Sequence, residues 1–336
     1  MKERERMLVV RLSALGDVAM TIPAIYSLAG RYPQLEISVL TRPFFAGLFI
    51  NRPHNVAVIE AETDGRHKGV AGMPRLMHGL AAYKFDCVAD LHNVLRSWQI
   101  DAFFMLRGCR VAMIDKQRRG RRKALRQGTP QKNFVSRYMD VFAALGYPVE
   151  LTFRSLFSSC RPPLPVEVRH PAVGIAPFAR YYNKTYPPVL MRRVVSILSA
   201  EGYNVYLFGA RGAEAGLLNS WQEDIGLCTS YAGRFSIADE MALMSELDCM
   251  VTMDSANQHI AALAGTEVLS IWGSTTPACG FYGFAQPEDN ALCLGLDCQP
   301  CSVAGGRGCP LGTLACLCGI RPQDIVERIK SIVNKK

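Results

Sequence analysis

Short apolar runs alternate along this chain with stretches in which apolar side chains recur every three to four residues, and that alternation predicts the elements. Residues 7–12 form an apolar run of the kind that fills a buried parallel strand. A tight Ser-Ala-Leu-Gly turn follows. Residues 17–31 then carry Val18, Ile22, Ile25, Leu28 and Ala29 at helical spacing, and Pro33 stands just past the expected stop. Residues 36–40 read as the next strand, so the chain opens on a βαβ unit with a short loop at the carboxyl end of its first strand. Further strands are predicted over 56–59, 87–91 and 110–114, with helical stretches between them, and a helix over 140–145 ends at Gly146-Tyr147-Pro148. The segment 160–171 contains Arg161-Pro162-Pro163-Leu164-Pro165 and Pro171; it breaks the pattern and reads as an interdomain linker. After it the alternation restarts, with strands over 172–176, 204–209, 249–253 and 268–273, and helices over 188–201, 236–246 and 257–264. An amphipathic helix is predicted over 322–333. Strands and helices alternating in both halves imply an α/β chain of two doubly wound, Rossmann-like domains, with a ligand cleft facing the carboxyl ends of the strands.

Length and composition agree. A chain of 336 residues suits two domains, and 49% hydrophobic residues can fill two cores. The charged start and the short apolar run after it do not read as a secretory signal, and no stretch approaches the ~18 apolar residues of a spanning helix. A soluble, cytoplasmic protein is expected, with its 12 cysteines reduced. The net charge of +9 is concentrated in 116–126, KQRRGRRKALR, with seven cations in eleven residues. That segment is either a solvated loop or a patch for phosphates on a lipid surface or a nucleic acid. Nothing nearby supplies the interleaved aromatic residues that stack bases, so no nucleic acid is expected.

Four segments carry candidate chemistry. Ser13-Ala14-Leu15-Gly16-Asp17 places a carboxylate at a strand-to-helix turn, where it can act as a base or cap the helix. Gly16 there allows a ligand to approach the backbone closely. Asp254-Ser255-Ala256-Asn257-Gln258-His259 follows a strand and opens a helix whose N–H groups suit a phosphate; Asp254, Ser255 and His259 can bond sugar hydroxyls, or cap and pack instead. Gly273-Ser274-Thr275-Thr276-Pro277 is a strand-end loop able to bind diphosphate through its N–H groups. Lys184, in Asn183-Lys184-Thr185-Tyr186-Pro187, can neutralise a diphosphate leaving group, or be a plain surface lysine. No G-x-G-x-x-G follows either domain's first strand and no Walker A motif is present, which argues against a dinucleotide oxidoreductase and a P-loop kinase. Cys298, Cys301, Cys309 and Cys316 begin with a C-x-x-C pair and have a credible zinc spacing, with inert loop-packing thiols or an occasional disulfide as the alternatives.

In order and spacing, these segments resemble the heptosyltransferases of lipopolysaccharide core assembly, inverting glycosyltransferases of the GT-B fold. Ser13-Ala14-Leu15-Gly16-Asp17 followed by Thr21-Ile22-Pro23-Ala24 is similar to that family's Ser-x-x-Gly-Asp and Pro-Ala segment. Lys184 sits at its Lys-x-Trp-Pro element, with Tyr186 in place of Trp. Asp254–His259 looks like its Asp-Thr/Ser-Gly-x-x-His, with Ala256 for Gly, and 273–277 looks like its Gly-Pro/Ala-Thr-Asp/His-Pro, with Thr276 for the acidic or His residue. The resemblance implies Asp17 as general base and Lys184 as the group that stabilises departing ADP, with no cofactor and no catalytic metal. It further implies donor contacts from Asp239, Asp254, Ser255, Ala256, His259, Gly273, Ser274 and Thr275. Ser13, Gly16, Arg118, Arg119, Arg121 and Arg122 would face the acceptor. The donor would be ADP-heptose or a similar nucleotide sugar. The acceptor would be of the lipid A–Kdo type, met peripherally at the inner face of the cytoplasmic membrane. The domains would be 1–160 for the acceptor and 166–320 for the donor, with 321–336 a helix packing back on the N-terminal domain. A transferase using another sugar nucleotide, a binding protein without activity and an RNA-binding protein are the alternatives.

Overall fold

A computed structural model describes residues 5–118, 120–160, 163–306 and 308–335, the side chains of Val70 and Arg122 excepted. The chain divides into two compact units: 1–118 with 132–154, and 119–131 with 155–336.

The first unit is built on five strands, β1 (Arg6–Val10), β2 (Glu36–Thr41), β3 (Val56–Glu60), β4 (Cys87–Asp90) and β5 (Arg110–Met113). They lie in the order β3-β2-β1-β4-β5 and every pairing is parallel. Central β1 is covered on both faces, which is why Met7 to Val10 are apolar without alternation. On one side Leu8, Val10, Val88, Ile100 and Phe104 share a core with Leu76 and Leu80. The predicted helix after β1 is two helices, Leu15–Ala19 and Thr21–Arg31, meeting at Met20.

The second unit carries β6 (Ala172–Ala176), β7 (Asn204–Leu207), β8 (Cys228–Ser230), β9 (Cys249–Met253), β10 (Val268–Ile271) and β11 (Ala291–Leu292). Their order is β11-β10-β9-β6-β7-β8, again with parallel pairings. In each sheet the order reverses beside the first strand, between β1 and β4 and between β6 and β9. An open parallel sheet leaves a crevice at such a reversal, outside the carboxyl ends of its strands.

Three readings of domain organisation differ from the sequence expectation. The division falls between Arg154 and Ser155, ahead of the proline-rich stretch, because the Leu156 amide already donates to Leu263 O (2.8 Å) and Leu156 is buried in the second unit. Residues 119–131 also join the second unit, where the Gln131 amide donates to Ala278 O (2.8 Å). The Pro322–Val333 helix does not lay its apolar face on the first unit. Ile325, Val326, Ile329 and Ile332 are buried in the second unit's core, with Val194 and Leu198 of the Pro188–Ala200 helix. The Lys330–Glu201 ion pair (2.6 Å) closes the rim of that contact.

Candidate active site

In the first unit the sheet reversal gathers residues from the ends of β1 and β4. Arg11, one residue beyond β1, is buried and reaches three partners. Its Nε donates to Ser13 O (2.8 Å), Nη1 to Leu91 O (2.5 Å), and Nη2 pairs with Asp17 Oδ2 at 2.8 Å. Burial opposes the Arg11 charge, but Asp17 above all, with Tyr138 and Asp90, outweighs it and raises the guanidinium's pKa. Asp17 Oδ2 also accepts from the Ala14 amide (3.0 Å), so the cap and the ion pair are the same oxygen. The Asp17 side chain remains 26% exposed against 3% for Arg11, which makes it the reachable member of the pair.

Asp90, the last residue of β4, is fully buried and organises the loop after it. Its Oδ1 accepts from the amides of His92 (2.7 Å) and Asn93 (2.8 Å), and Oδ2 from Ser97 Oγ (2.7 Å). That loop turns His92 toward β1, with Nε2 at 3.2 Å from Ser13 Oγ. Burial first, then the charges of Arg11 and Lys116, push the His92 imidazole down to about 3. Burial, Arg11 and Arg118 push the Lys116 ammonium down to about 8. Both shifts record the same fact: cations crowd around one carboxylate, so an anionic group entering here would relieve repulsion.

A pH prediction follows. The folded pKa of His92 lies below the unfolded value of ~6.5, so between the two only the unfolded chain binds this proton. The His92 contribution to stability is therefore present above about pH 6.5 and is lost as pH falls toward 3. In NMR, the His92 ring proton shifts are expected to stay flat from pH 8 to 4.5; a titration centred near pH 6.5 would refute the buried neutral ring.

In the second unit the corresponding reversal lies beside β6 and β9. Lys184 Nζ pairs with Asp254 Oδ2 at 2.7 Å, and Thr275 Oγ1 donates to the same oxygen (2.5 Å). The Lys184 and Asp254 side chains are only 13% and 6% exposed, so this is not a plain surface lysine. The loop after β10 is pressed against the Lys184 turn, with Ser274 N donating to Asn183 O (3.0 Å). A Cβ on Gly273 would stand 2.5 Å from that carbonyl and 2.9 Å from Leu317 Cδ1, so only glycine lets the two loops meet. Ser255 stands at the N-cap of the Ala256–Ala264 helix without making a side-chain cap bond. Its hydroxyl and that of Ser274 are buried with no hydrogen-bond partner among the described residues. Buried unpaired hydroxyls are costly, and two beside one lysine suit a polar ligand. His259 is buried in the same helix.

The model of glycosyltransferase family 9 (heptosyltransferase) matches residues 73–310. The chain belongs to this family. It is 26% identical over 280 residues to lipopolysaccharide heptosyltransferase 3 of Escherichia coli, covering 77% of this chain and 81% of that one. Against lipopolysaccharide heptosyltransferase 2 of Salmonella typhimurium the identity is 25%, covering 98% and 99%. In fold it is similar to an E. coli heptosyltransferase solved with ADP, at a TM-score of 0.70 and 18% identity over 97% and 99% of the two chains. The two-Rossmann-domain GT-B fold is thus that of its glycosyltransferase relatives.

The structure brings the family-pattern residues together within each unit: Ser13 and Asp17 through Arg11, and Lys184, Asp254, Ser274 and Thr275 through one carboxylate and one loop. Gly16 lies in the Leu15–Ala19 helix beside Asp17, and Ala256 opens the helix after β9. Asp239 lies in the first turn of the Ile237–Ser245 helix. It is held in a capping box, its carboxylate accepting from Ser236 Oγ (2.7 Å) while its amide donates back (3.2 Å). The next residue, Glu240, has a carboxyl that burial pushes up to about 7. Of the arginines expected to face an acceptor, Arg118 donates to Asn93 O (2.8 Å) beside the His92 loop. Arg121 begins the short Arg121–Arg126 helix and is half-buried. Arg119 lies outside the described residues, as does the Arg122 side chain.

Sequence reasoning passed over Arg11, Asp90 and His92. Each stands at or just past the carboxyl end of a strand beside the reversal point, and position alone was the available signal. Glu240 offered no such signal.

Proposed function

We propose that this glycosyltransferase moves heptose from ADP-heptose to a lipopolysaccharide inner-core acceptor with inversion at the anomeric carbon. The observation that carries the reading is the buried Lys184–Asp254–Thr275 cluster beside the unpaired Ser255 and Ser274 hydroxyls. It offers a diphosphate one positive charge, two hydroxyls and the N–H groups of a strand-end loop. Asp254 holds Lys184 in place before donor arrives, so little reorganisation remains when negative charge develops on the leaving group.

In the proposed reaction Asp17 accepts the proton of an acceptor hydroxyl. The freed oxygen bonds to the anomeric carbon as the bond from that carbon to the diphosphate breaks, and ADP leaves with the electron pair. Ser13 and Gly16 would border the acceptor, and His259, Ala256 and Gly273 the donor. Glu240 is proposed as the acidic contact to the donor ribose in place of Asp239, whose carboxylate is engaged in its cap. The cationic surroundings of Asp17, with Arg11, Lys116 and Arg118, favour an acceptor bearing phosphate or carboxylate groups, as a lipid A–Kdo type acceptor does. The sequence run 116–126, with seven cations in eleven residues, would suit the anionic inner face of the membrane. No helix of the described residues is long and apolar enough to cross a membrane, so the contact proposed is peripheral.

The test is transfer by the purified chain to heptose-deficient lipopolysaccharide, read by mass spectrometry, with ADP-heptose set beside uridine and guanosine diphosphate sugars. A heptose-sized mass gain from ADP-heptose, with the new linkage inverted by NMR, is expected. Preference for another nucleotide sugar would overturn the donor and leave the family membership standing. Tight ADP-heptose binding without turnover would make the chain a binding protein.

A further inference from the structure

Cys298, Cys301, Cys309 and Cys316 line one cavity, but among the described residues no three His, Cys, Asp or Glu side chains stand together as a metal-ligand set. The polar group left without a role lies in the first unit. The Leu95–Met105 helix leaves the loop after β4, and its buried face carries Ser97 and Asp101 one turn apart, beside Ile100 and Phe104. Ser97 is placed by its hydrogen bond to Asp90 Oδ2 (2.7 Å). Asp101 has no part in the proposed reaction. It is only 1% exposed, and neither of its carboxyl oxygens has a hydrogen-bond partner among the described residues.

An ionised carboxyl sealed from water without a donor is among the costliest groups a core can hold, and keeping the proton avoids that cost. What faces Asp101 is the carboxyl of Asp90, within hydrogen-bonding reach. Two carboxyl oxygens without hydrogen repel each other; the same contact becomes a hydrogen bond once one of them is protonated. Asp90 is not the one to carry that proton. It already accepts from the His92 and Asn93 amides at Oδ1 and from the Ser97 hydroxyl at Oδ2. A carboxyl group offers about four lone-pair positions, so three donors leave Asp90 room for one more, on Oδ2. Burial first, then the charge of Asp90, hold the Asp101 carboxyl well above the usual carboxylate range, and no cation among the described residues offsets them.

We propose that Asp101 is a neutral carboxylic acid that donates its hydrogen to Asp90, and that it thereby acts as a positioning residue for the loop beside Asp17. That loop needs holding. Asn93 sits at φ 46°, in the left-handed region, and is kept there by its amide on Asp90 and by Asn93 Nδ2 donating to Ile114 O (2.7 Å). The carbonyl of Leu91 receives Arg11 Nη1, and His92 Nε2 stands at Ser13 Oγ. The orientation of one buried carboxyl therefore sets where Arg11 and His92 lie, and Arg11 pairs with Asp17. Asp101 touches no reacting group; it acts through Asp90 and the loop. Its proton is independent of the transferase reading, and only its effect on acceptor use rests on that reading.

The experiment compares the full wild-type chain with Asp101→Asn, which keeps the shape and an N–H donor, and Asp101→Leu, which keeps the size and loses the donor. Infrared difference spectra near neutral pH are expected to show the carbonyl stretch of a protonated carboxylic acid in the wild type and its loss in Asp101→Asn. Hydrogen exchange of the 91–94 backbone, read by mass spectrometry, should stay slow in Asp101→Asn and quicken in Asp101→Leu. In transfer from ADP-heptose, the KM for heptose-deficient lipopolysaccharide should rise about tenfold in Asp101→Leu, the scale of one hydrogen bond to a charged group, and change by less than about twofold in Asp101→Asn, with ADP affinity unaltered in both. A wild type without the acid carbonyl band would overturn the proposal. So would an Asp101→Asn chain whose loop exchanges as fast as that of Asp101→Leu, or an Asp101→Leu chain with wild-type exchange and KM. Should Asp101→Leu fail to fold, the infrared band and the Asp101→Asn exchange decide. A wild type that shows the band and the protected loop but transfers no heptose would leave Asp101 as assigned and overturn the transferase reading alone.

Discussion

Replacing Asp17 with asparagine is expected to lower kcat by about 10²–10⁴-fold, the range for loss of a placed general base, with ADP affinity unchanged. The amide is nearly isosteric, and its oxygen can still accept from the Ala14 amide, so the turn into the Leu15–Ala19 helix keeps its cap. What disappears is the charge that takes the acceptor proton. Arg11 also loses its anion, and because the guanidinium is buried this costs stability. Breaking a fully buried pair costs about 3–5 kcal/mol; solvent reaches Asp17, so the loss here should be smaller. The two consequences separate experimentally. Calorimetric ADP titration and thermal unfolding report binding and fold, while single-turnover transfer reports chemistry. An Asp17→Asn chain that turns over at the wild-type rate would reduce Asp17 to a helix cap and a partner for Arg11.

Lys184→Ala is expected to lower kcat by about 10²–10³-fold, as for removal of a preorganised group facing developing charge. It should also destabilise the second unit, since Asp254 keeps, among the described residues, only Thr275 at its Oδ2 and remains buried. Adding Asp254→Asn to Lys184→Ala removes the uncompensated charge. The double variant should regain most of the stability lost in the single variant and none of the activity. That pattern distinguishes a lysine needed by the leaving group from one needed only by the fold. If the double variant recovered transfer as well, Lys184 would be a structural cation. Lys184→Arg is not expected to substitute: the planar guanidinium differs in shape from an ammonium, and the 305 backbone already packs on the lysine stem.

The strands at the centre of both sheets were legible because they are buried on both faces. Met7–Val10, Ala172–Ala176 and Cys249–Met253 are apolar throughout, and no other solvent-exposed use suits such runs. Elements with a weaker signal were passed over. The Ala213–Asp224 helix buries only Leu218 and Trp221, and β8 is three residues long. The C-terminal helix was read correctly over 322–333, but the apolar stripe says that it packs and not on what.

Candidate chemistry divides along the same line. Asp17, Lys184, Asp254 and the 273–277 loop could be picked from the sequence because each follows an apolar run, and a strand end in an α/β sheet is where ligands bind. Their partners could not. Lys184 meets Asp254 across 70 positions, and Ser13 meets His92 across 79, because β9 lies beside β6 and β4 beside β1. Likewise the sequence offered Asp17 as a cap or a base but gave no sign that its capping oxygen also pairs with Arg11. By itself the sequence determined two α/β domains, their strand ends and the residue types waiting there, since burial and turn chemistry act over a few neighbouring residues. Only the tertiary structure decided which charges face one another and which hydroxyls lack partners among the described residues. Those are consequences of strand order and loop packing between residues far apart in the chain.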